Sequence, residues 1–342
     1  MKLRSYRFQT ILAVALFGLV TTTSAGLARD LKMSLFVKDS HFLATKVFVP
    51  MAKNIEAFSN GELKVEVFAS GVLGKTADQL QIVENGIADM ALIVPNYTRG
   101  RFPFFEAASL PFAFTSAVHG CKVFDQLREK YLNESFDTVK PLVVCVSALS
   151  GLLTKTKQIS SLDQLNGMTL RGSGNDQTKI MAEFGANTVN MPITDVYVAM
   201  ERGTIDGVIM PIGSASGYKL EEIAKYYTLI NFASTPLSFI MSETVWASLT
   251  PAQQEAVSKA ARIAQEAMGV AYDESEEDGL KVFAAAGGKT NDLPEAEVAK
   301  LKSSAAPFWD EFEANLAKQK DADTAKAFMA DFRKLIEESA AK

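Results

Sequence analysis

The chain has 342 residues, with 35 Lys and Arg against 40 Asp and Glu, a net charge of −5, 48% hydrophobic and 22% charged residues. These proportions exclude wholesale disorder and a coiled coil. An acidic chain without a basic block also excludes nucleic acid as a partner, because phosphate neutralisation needs clustered Lys and Arg, and at about 100–200 residues per domain the length predicts two domains.

Lys2, Arg4 and Arg7 precede an apolar run from Ile11 to Val20; small residues follow, and Gly26-Leu27-Ala28 offers a cleavage site before Arg29. A charged stretch, a short apolar stretch and small residues make a secretory signal peptide. The apolar run is too short for a membrane core that needs about 20 residues. Residues 1–28 are therefore assigned as a leader, and the mature protein is expected to be exported, and periplasmic in a bacterium with two membranes. Such a compartment permits a disulfide between Cys121 and Cys145, the only cysteines, although two buried thiols fit equally well. With only His41 and His119 to join them, the cysteines make no zinc pattern, and no metal or other cofactor is expected.

Leu31, Met33, Leu35 and Val37 alternate with polar residues, apart from Phe36, and predict a strand. Ala44, Val47, Met51, Ile55 and Phe58 share a helical face, with a kink expected at Pro50, and Asn60-Gly61 marks a turn. Leu63, Val65 and Val67 predict a second strand, residues 76–85 a helix ended by Gly86, and residues 88–94 a strand buried on both faces of a parallel sheet. This β-α-β-α-β opening predicts an α/β domain. Strand patterns recur at 142–148, 168–170, 188–190 and 205–210, with helices at 176–184 and 193–202.

Thr250-Pro251-Ala252-Gln253 is a strong helix start, with Thr as N-cap, Pro in the first turn and Gln closing a capping box. The pattern runs to residue 286, about 50 Å at about 1.5 Å per residue, long enough to brace two domains. Helices at 294–317 and 322–339 close the chain, and the acidic run 273–278 reads as a solvated helix face. The expected division is a leader at 1–28, a first α/β domain at 29–150 and a second at 151–235. Residues 236–342 then supply a return crossing, the long helix and the closing helices, packed on both domains.

Three motifs bear on chemistry. Ala69 to Thr76 resembles a phosphate loop, but the leading Gly is missing and no magnesium-binding Asp follows a suitable strand, so a tight turn is expected. Gly213-Ser214-Ala215-Ser216-Gly217 has Ala where a nucleophile elbow needs Ser. The third is Gly167 to Gly174, where a strand delivers Arg171 at its carboxyl end, followed by Gly172 and Gly174 and a helix start. Ligands in open α/β sheets sit outside the carboxyl ends of strands, and Arg there offers a rigid fork that pairs a carboxylate bidentately. His41, just after the first strand, is a candidate cleft residue; His119 reads as structural.

Several segments together resemble the solute-binding proteins of tripartite ATP-independent periplasmic (TRAP) transporters of the dicarboxylate-type, DctP-like family. They are Gly71-Val72-Leu73-Gly74, Gly86 to Met90, Leu110-Pro111-Phe112, Leu162 to Arg171, Gly185-Ala186-Asn187, Met191 to Tyr197 and Ala199 to Gly207. The resemblance implies a periplasmic-binding-protein clamshell of two α/β domains with a long C-terminal bracing helix. It implies a receptor, not an enzyme, expected as a monomer, that closes on one small carboxylate and hands it to an integral-membrane permease. It also implies that Arg171 binds that carboxylate. An exported enzyme acting on an organic acid, or a sensor that presents its ligand to a receptor, is the alternative.

Departures from the family pattern shape the expected ligand. Where members that take C4-dicarboxylates or sialic acid commonly carry a second Arg, the chain has Gly151. Where a polar residue commonly precedes the Pro after Asp206-Gly207, it has Met210, and the polar strand end of the first domain falls at Val94. One Arg among Val94, Met210 and Gly151 suits a single carboxylate on an apolar body, since buried charge without a partner is costly. Ile193, Tyr97 in the loop after the third strand, and Tyr218 and Phe239 as apolar walls complete the candidate ligand residues with His41.

Overall fold

The computed structural model describes residues 28–340; the leader therefore lies, but for its last residue, outside the described residues. Eleven strands are described: β1 Arg29–Ser34, β2 Leu63–Phe68, β3 Met90–Ile93, β4 Val139–Val146, β5 Gly151–Thr154, β6 Thr169–Gly172, β7 Asn187–Asn190, β8 Gly207–Met210, β9 Tyr226–Leu229, β10 Pro236–Ser242 and β11 Lys289–Asp292. They form a five-stranded sheet, order β2-β1-β3-β10-β4, and a six-stranded sheet, order β11-β9-β5-β8-β6-β7. In the first, β1 runs parallel to β2 and β3, while β10 is antiparallel to β3 and β4. In the second, β6 is parallel to β7 and β8, and β5 is antiparallel to β8 and β9.

The principal helices are α1 Val49–Phe58, α2 Gln79–Glu84, α3 Ala117–Leu127, α4 Asn175–Ala182, α5 Val196–Glu201, α6 Glu243–Ala247, α7 Pro251–Ala285, α8 Glu295–Gln319 and α9 Ala322–Ala340. The chain is thus a mixed α/β protein of two sheet-centred units. It passes from β4 to β5 through residues 147–150, returns from β9 to β10 through 230–235, and visits the second sheet once more at β11.

The β1 alternation buries Leu31 and Met33, and all four residues of β3 are buried, as expected for a strand covered on both faces. Ahead of α1 the backbone widens into a π-helical segment, Leu43–Phe48. Pro50 then occupies the first turn of α1, where its missing N–H costs nothing. The kink expected at Pro50 is resolved as this change of helix type.

Helix α7 starts with the capping box of Thr250 and Gln253 and runs for 35 residues. It packs against α1, α3 and β4 of the first unit and against the turn Ile212–Ser214 and β11 of the second, so one rigid element touches both. The acidic run on α7 is not merely solvated. Asp273 accepts hydrogen bonds from the backbone N–H groups of Ala117 and Val118 at the start of α3, and Glu276 accepts one from Gly213.

Cys121 on α3 and Cys145 on β4 are joined by a disulfide, which settles the choice left open by the sequence. It closes a loop with a sequence separation of 24. In the chain-entropy account such a crosslink stabilises by about 3 kcal/mol. The double variant Cys121→Ala/Cys145→Ala is therefore expected to lose about that much in urea unfolding, with the m-value raised by the freer unfolded chain. Equal midpoints for the two proteins would contradict this.

Candidate functional site

The two sheets present strand ends to a shared cleft. The first unit contributes the residues after β1 (Phe36, Val37), after β3 (Val94, Tyr97) and after β4 (Ser147). Because β10 is antiparallel to its neighbours, its opening residues Thr235 and Leu237 reach the same edge. The second unit contributes Arg171 and Ser173 from β6, Ile209, Met210, Pro211 and Ser214 from β8 and the turn beyond it, and Ile193 and Tyr218. His41 and Leu43 before α1, and Tyr272 from the middle of α7, close a cavity of about 60 Å³.

Arg171 dominates the electrostatics. It is 2% exposed. Its Nε and Nη2 donate to the Met191 carbonyl at 2.9 and 2.7 Å, and Nη2 also donates to the Tyr97 hydroxyl at 3.0 Å. Two N–H groups on Nη1 remain, and among the described residues no carboxylate forms an ion pair with this guanidinium. The Tyr97 oxygen accepts a second hydrogen bond from the Ile193 backbone N–H at 3.1 Å. With both lone pairs used, its own hydrogen is free to be donated. Tyr97 thus carries the first unit across the cleft to the second, and it and Arg171 keep donors that have no acceptor among the described residues.

Burial keeps His41, Tyr218 and Tyr272 of the cavity wall neutral. Burial, reinforced by nearby Lys38, pushes the His41 imidazole down to about 4. Its Nδ1 accepts the Leu43 backbone N–H at 3.1 Å, which leaves the hydrogen on Nε2, a buried atom without a partner among the described residues. Burial raises the Tyr218 and Tyr272 hydroxyls, so both stay protonated. Further along α7, burial pushes the Glu276 carboxyl up to about 7, opposed by the hydrogen bonds it accepts from Gly213 and Ile212. Among the described residues lining the cavity no hydroxyl or thiol is hydrogen-bonded to a His, Asp or Glu side chain, and among the described residues no group of three or more His, Cys, Asp or Glu side chains is placed to hold a metal.

Of the nine candidate ligand residues, Arg171, Met210, Val94, Ile193, His41, Tyr97 and Tyr218 line one cavity. Gly151 and Phe239 are placed elsewhere. The Gly151 N–H donates to the Tyr227 hydroxyl at 3.0 Å, and a Cβ at 151 would lie 2.5 Å from the Thr228 carbonyl oxygen. That position seats the Tyr227 ring and has no room for a second guanidinium. Phe239 is fully buried in the first unit, stacked on Phe48 with ring centroids 4.7 Å apart. Arg101, near the cleft in sequence, turns away to pair with Asp137 and Glu84. His119 is structural: its ring bonds Thr115 and the Ile336 carbonyl.

Thr235 and Leu237 carry no signal in the sequence pattern, because the segment around β10 reads as a return crossing between the units. Tyr272 carries none either, because an inward-facing aromatic on a long helix carries no mark of the cavity it reaches. Ser147 and Ser173 were findable as polar residues at strand ends.

A two-unit clamshell with a buried, anion-seeking guanidinium between its jaws defines a solute receptor. The family model for bacterial extracellular solute-binding proteins, family 7 (DctP), matches residues 33–315, and the chain belongs to that family. It is 27% identical over 269 residues to the 2,3-diketo-L-gulonate-binding periplasmic protein YiaO of Escherichia coli, covering 77% of this chain and 80% of the relative. Among solved structures it is similar to a marine-metagenome TRAP solute-binding protein specific for aromatic acid ligands, crystallised with 3-hydroxybenzoate. That likeness has a TM-score of 0.86 and 27% identity, and covers 91% of this chain and 98% of the other. The fold is shared equally with a TRAP solute-binding protein of Rhodoferax ferrireducens, with a TM-score of 0.86 and 21% identity, covering 92% and 99%.

The family works outside the cytoplasm, binding small carboxylates for membrane permease components. Among the described residues no helix is long and apolar enough to cross a membrane.

Proposed function

We propose that this receptor binds a monocarboxylate with an apolar, aromatic or aliphatic body and delivers it, as a periplasmic protein without catalytic activity, to a TRAP permease. The observation that carries the reading is the Arg171 guanidinium, buried beside a cavity with no carboxylate partner among the described residues. Burying a charge is costly unless it is paired, and an organic acid completes the pairing through Nη1 and the Tyr97 hydroxyl. Beyond that one anion-binding end the wall carries the apolar side chains Val37, Leu43, Val94, Ile193, Ile209 and Leu237 together with hydroxyl groups, and no second Arg or Lys. A second carboxylate would find no second cation among these lining residues.

The aromatic-acid receptor at 27% identity supports an apolar body. The diketo-gulonate receptor, equally distant, shares the acid group but not the body. Closure excludes water and strengthens the ion pair, and the ligand shifts the open–closed equilibrium by its differential affinity for the closed form.

The test is thermal unfolding of the leaderless protein, refolded to strip ligand, against benzoate, hydroxybenzoates, branched aliphatic acids, succinate, malate and glucuronate. An acid at about 100 times its dissociation constant adds about 2.7 kcal/mol, a rise of several degrees at this size. The rise is expected with one or more monocarboxylates. Tight binding of succinate, malate or glucuronate with the monocarboxylates inert would sink the reading.

A further inference from the structure

The two units meet across the cleft at a point where no hydrogen bond joins them. Gly217, in the turns beyond β8, lies against the imidazole edge of His41 from the first unit. A Cβ built on Gly217 would fall 2.3 Å from His41 Cδ2 and 3.0 Å from Nε2. The backbone at Gly217 is not in the left-handed region, so glycine is required there by the closeness of the ring and not by the local conformation.

The ring itself has little freedom. It is 4% exposed, stacked on Phe42 with centroids 4.4 Å apart, and held through Nδ1 by the Leu43 N–H. Tyr218, next to the glycine, tilts against the same imidazole at 5.9 Å. A second close approach of the same kind lies three residues after Arg171 in the chain. A Cβ on Gly174 of the second unit would fall 2.4 Å from Asn96 Nδ2 of the first. There the obstacle is the end of a side chain, held to Ser109 by one hydrogen bond at 3.0 Å.

We infer that Gly217 and His41 form a closing seat, in which the missing side chain of one lets the ring of the other settle and so fixes how far the clamshell shuts over its ligand. The role rests on the receptor reading above and adds to it a determinant, Gly217, that is not among the residues lining the cavity. Gly217 is a positioning residue: a methyl group there holds the jaws apart, so Arg171 and Tyr97 no longer meet. The apparent affinity falls with the population of the closed form. Gly174 contributes in the same sense but less, since Asn96 can rotate aside.

The experiment compares wild type, Gly217→Ala, His41→Ala and the double variant by ligand titration and by small-angle scattering with and without saturating ligand. The ligand is whichever panel acid gives the largest shift with wild type. Wild type is expected to contract on binding. Gly217→Ala is expected to bind about 10-fold or more weakly, consistent with depletion of the closed state, and to keep its open radius with ligand. Removing the ring should restore the contraction in the double variant, a rescue that a misfolded or merely destabilised protein would not show. Wild-type contraction in Gly217→Ala overturns the inference, as does a double variant that stays as open as the single one. Failure of wild type to bind any acid would count against the proposed function instead.

Discussion

Arg171→Met is expected to abolish the ligand-induced thermal shift, raising the dissociation constant at least about 30-fold, while leaving the unliganded protein within about 1 kcal/mol of wild type. The first figure follows from truncating one partner of a buried, hydrogen-bonded charge pair, which costs about 2–5 kcal/mol. The second follows from the peculiar position of this guanidinium. Without ligand, wild type carries a buried cation that no carboxylate among the described residues neutralises, held by the Met191 carbonyl and the Tyr97 hydroxyl. Replacing it removes those hydrogen bonds and leaves the Met191 oxygen under-satisfied. It also removes the desolvation cost of the charge, and the two effects oppose each other.

Arg171→Lys separates charge from geometry. It keeps the cation but not the planar fork that spans Met191, Tyr97 and the ligand, and its affinity should fall between the two. A severe drop in the melting temperature of unliganded Arg171→Met would assign the residue to structure, and the carboxylate reading would lose its main support.

What the sequence disclosed depended on the range over which each signal acts. Arg171 was legible because its cue is local: an arginine at a strand end, followed by glycines and a helix start, in an α/β pattern that places ligands at that edge. The capping box at Thr250 was equally local, and α7 begins there. The strands β5, β9 and β11 have four residues each and are defined by partners far away in the chain. Strands of the same length at β3, β6, β7 and β8 adjoin helices in an α/β alternation, whereas β5 follows β4 without a helix between them, β9 follows a run of turns and β11 is polar, so these three segments read as crossings and loops.

The same applies to β10, whose antiparallel insertion between β3 and β4 brings Thr235 and Leu237 to the cleft. Phe239, singled out as a wall, sits two residues deeper along that strand and belongs to the core. Tyr272 and Glu276 were hidden for another reason. On a long amphipathic helix, inward-facing residues all look alike, and only the tertiary arrangement shows that Tyr272 reaches the cleft and that Glu276 meets the Gly213 N–H. The acidic run was read by composition, which cannot tell the carboxylates at 273 and 276 that cap backbone N–H groups from the exposed Glu277 that pairs with Lys281.

Glu276→Gln is expected to stabilise the protein increasingly as pH rises from about 4.5 to about 7, and by a constant amount above that. Burial raises the folded-state carboxyl from 4.5 to about 7. Between those values the unfolded chain has released its proton while the folded protein still holds one, so stability falls as pH rises. At about 1.4 kcal/mol per unit the full shift would amount to about 3 kcal/mol. Because the side chain is only partly shielded from solvent, about 2 kcal/mol is the expected gain at pH 7.5. The glutamine keeps an oxygen for the Gly213 N–H, which limits the structural change.

His41 works in the opposite sense. Its folded-state value of about 4 lies below the ordinary 6.5, so its contribution is fully present above 6.5 and is lost as pH falls toward 4. In wild type the two slopes oppose each other between about 4.5 and 6.5, and the pH profile conceals both. Urea midpoints at pH 4.5, 5.5, 6.5 and 7.5 should therefore show a Glu276→Gln minus wild-type difference that grows with pH, and a His41→Asn minus wild-type difference whose cost also grows with pH over the same window. A Glu276→Gln difference that stays flat would mean that the carboxyl is solvated at its ordinary value. In that case α7 would hold the Ile212–Ser214 turn through an ionised carboxylate that accepts the Gly213 N–H, and burial would not disfavour the charge.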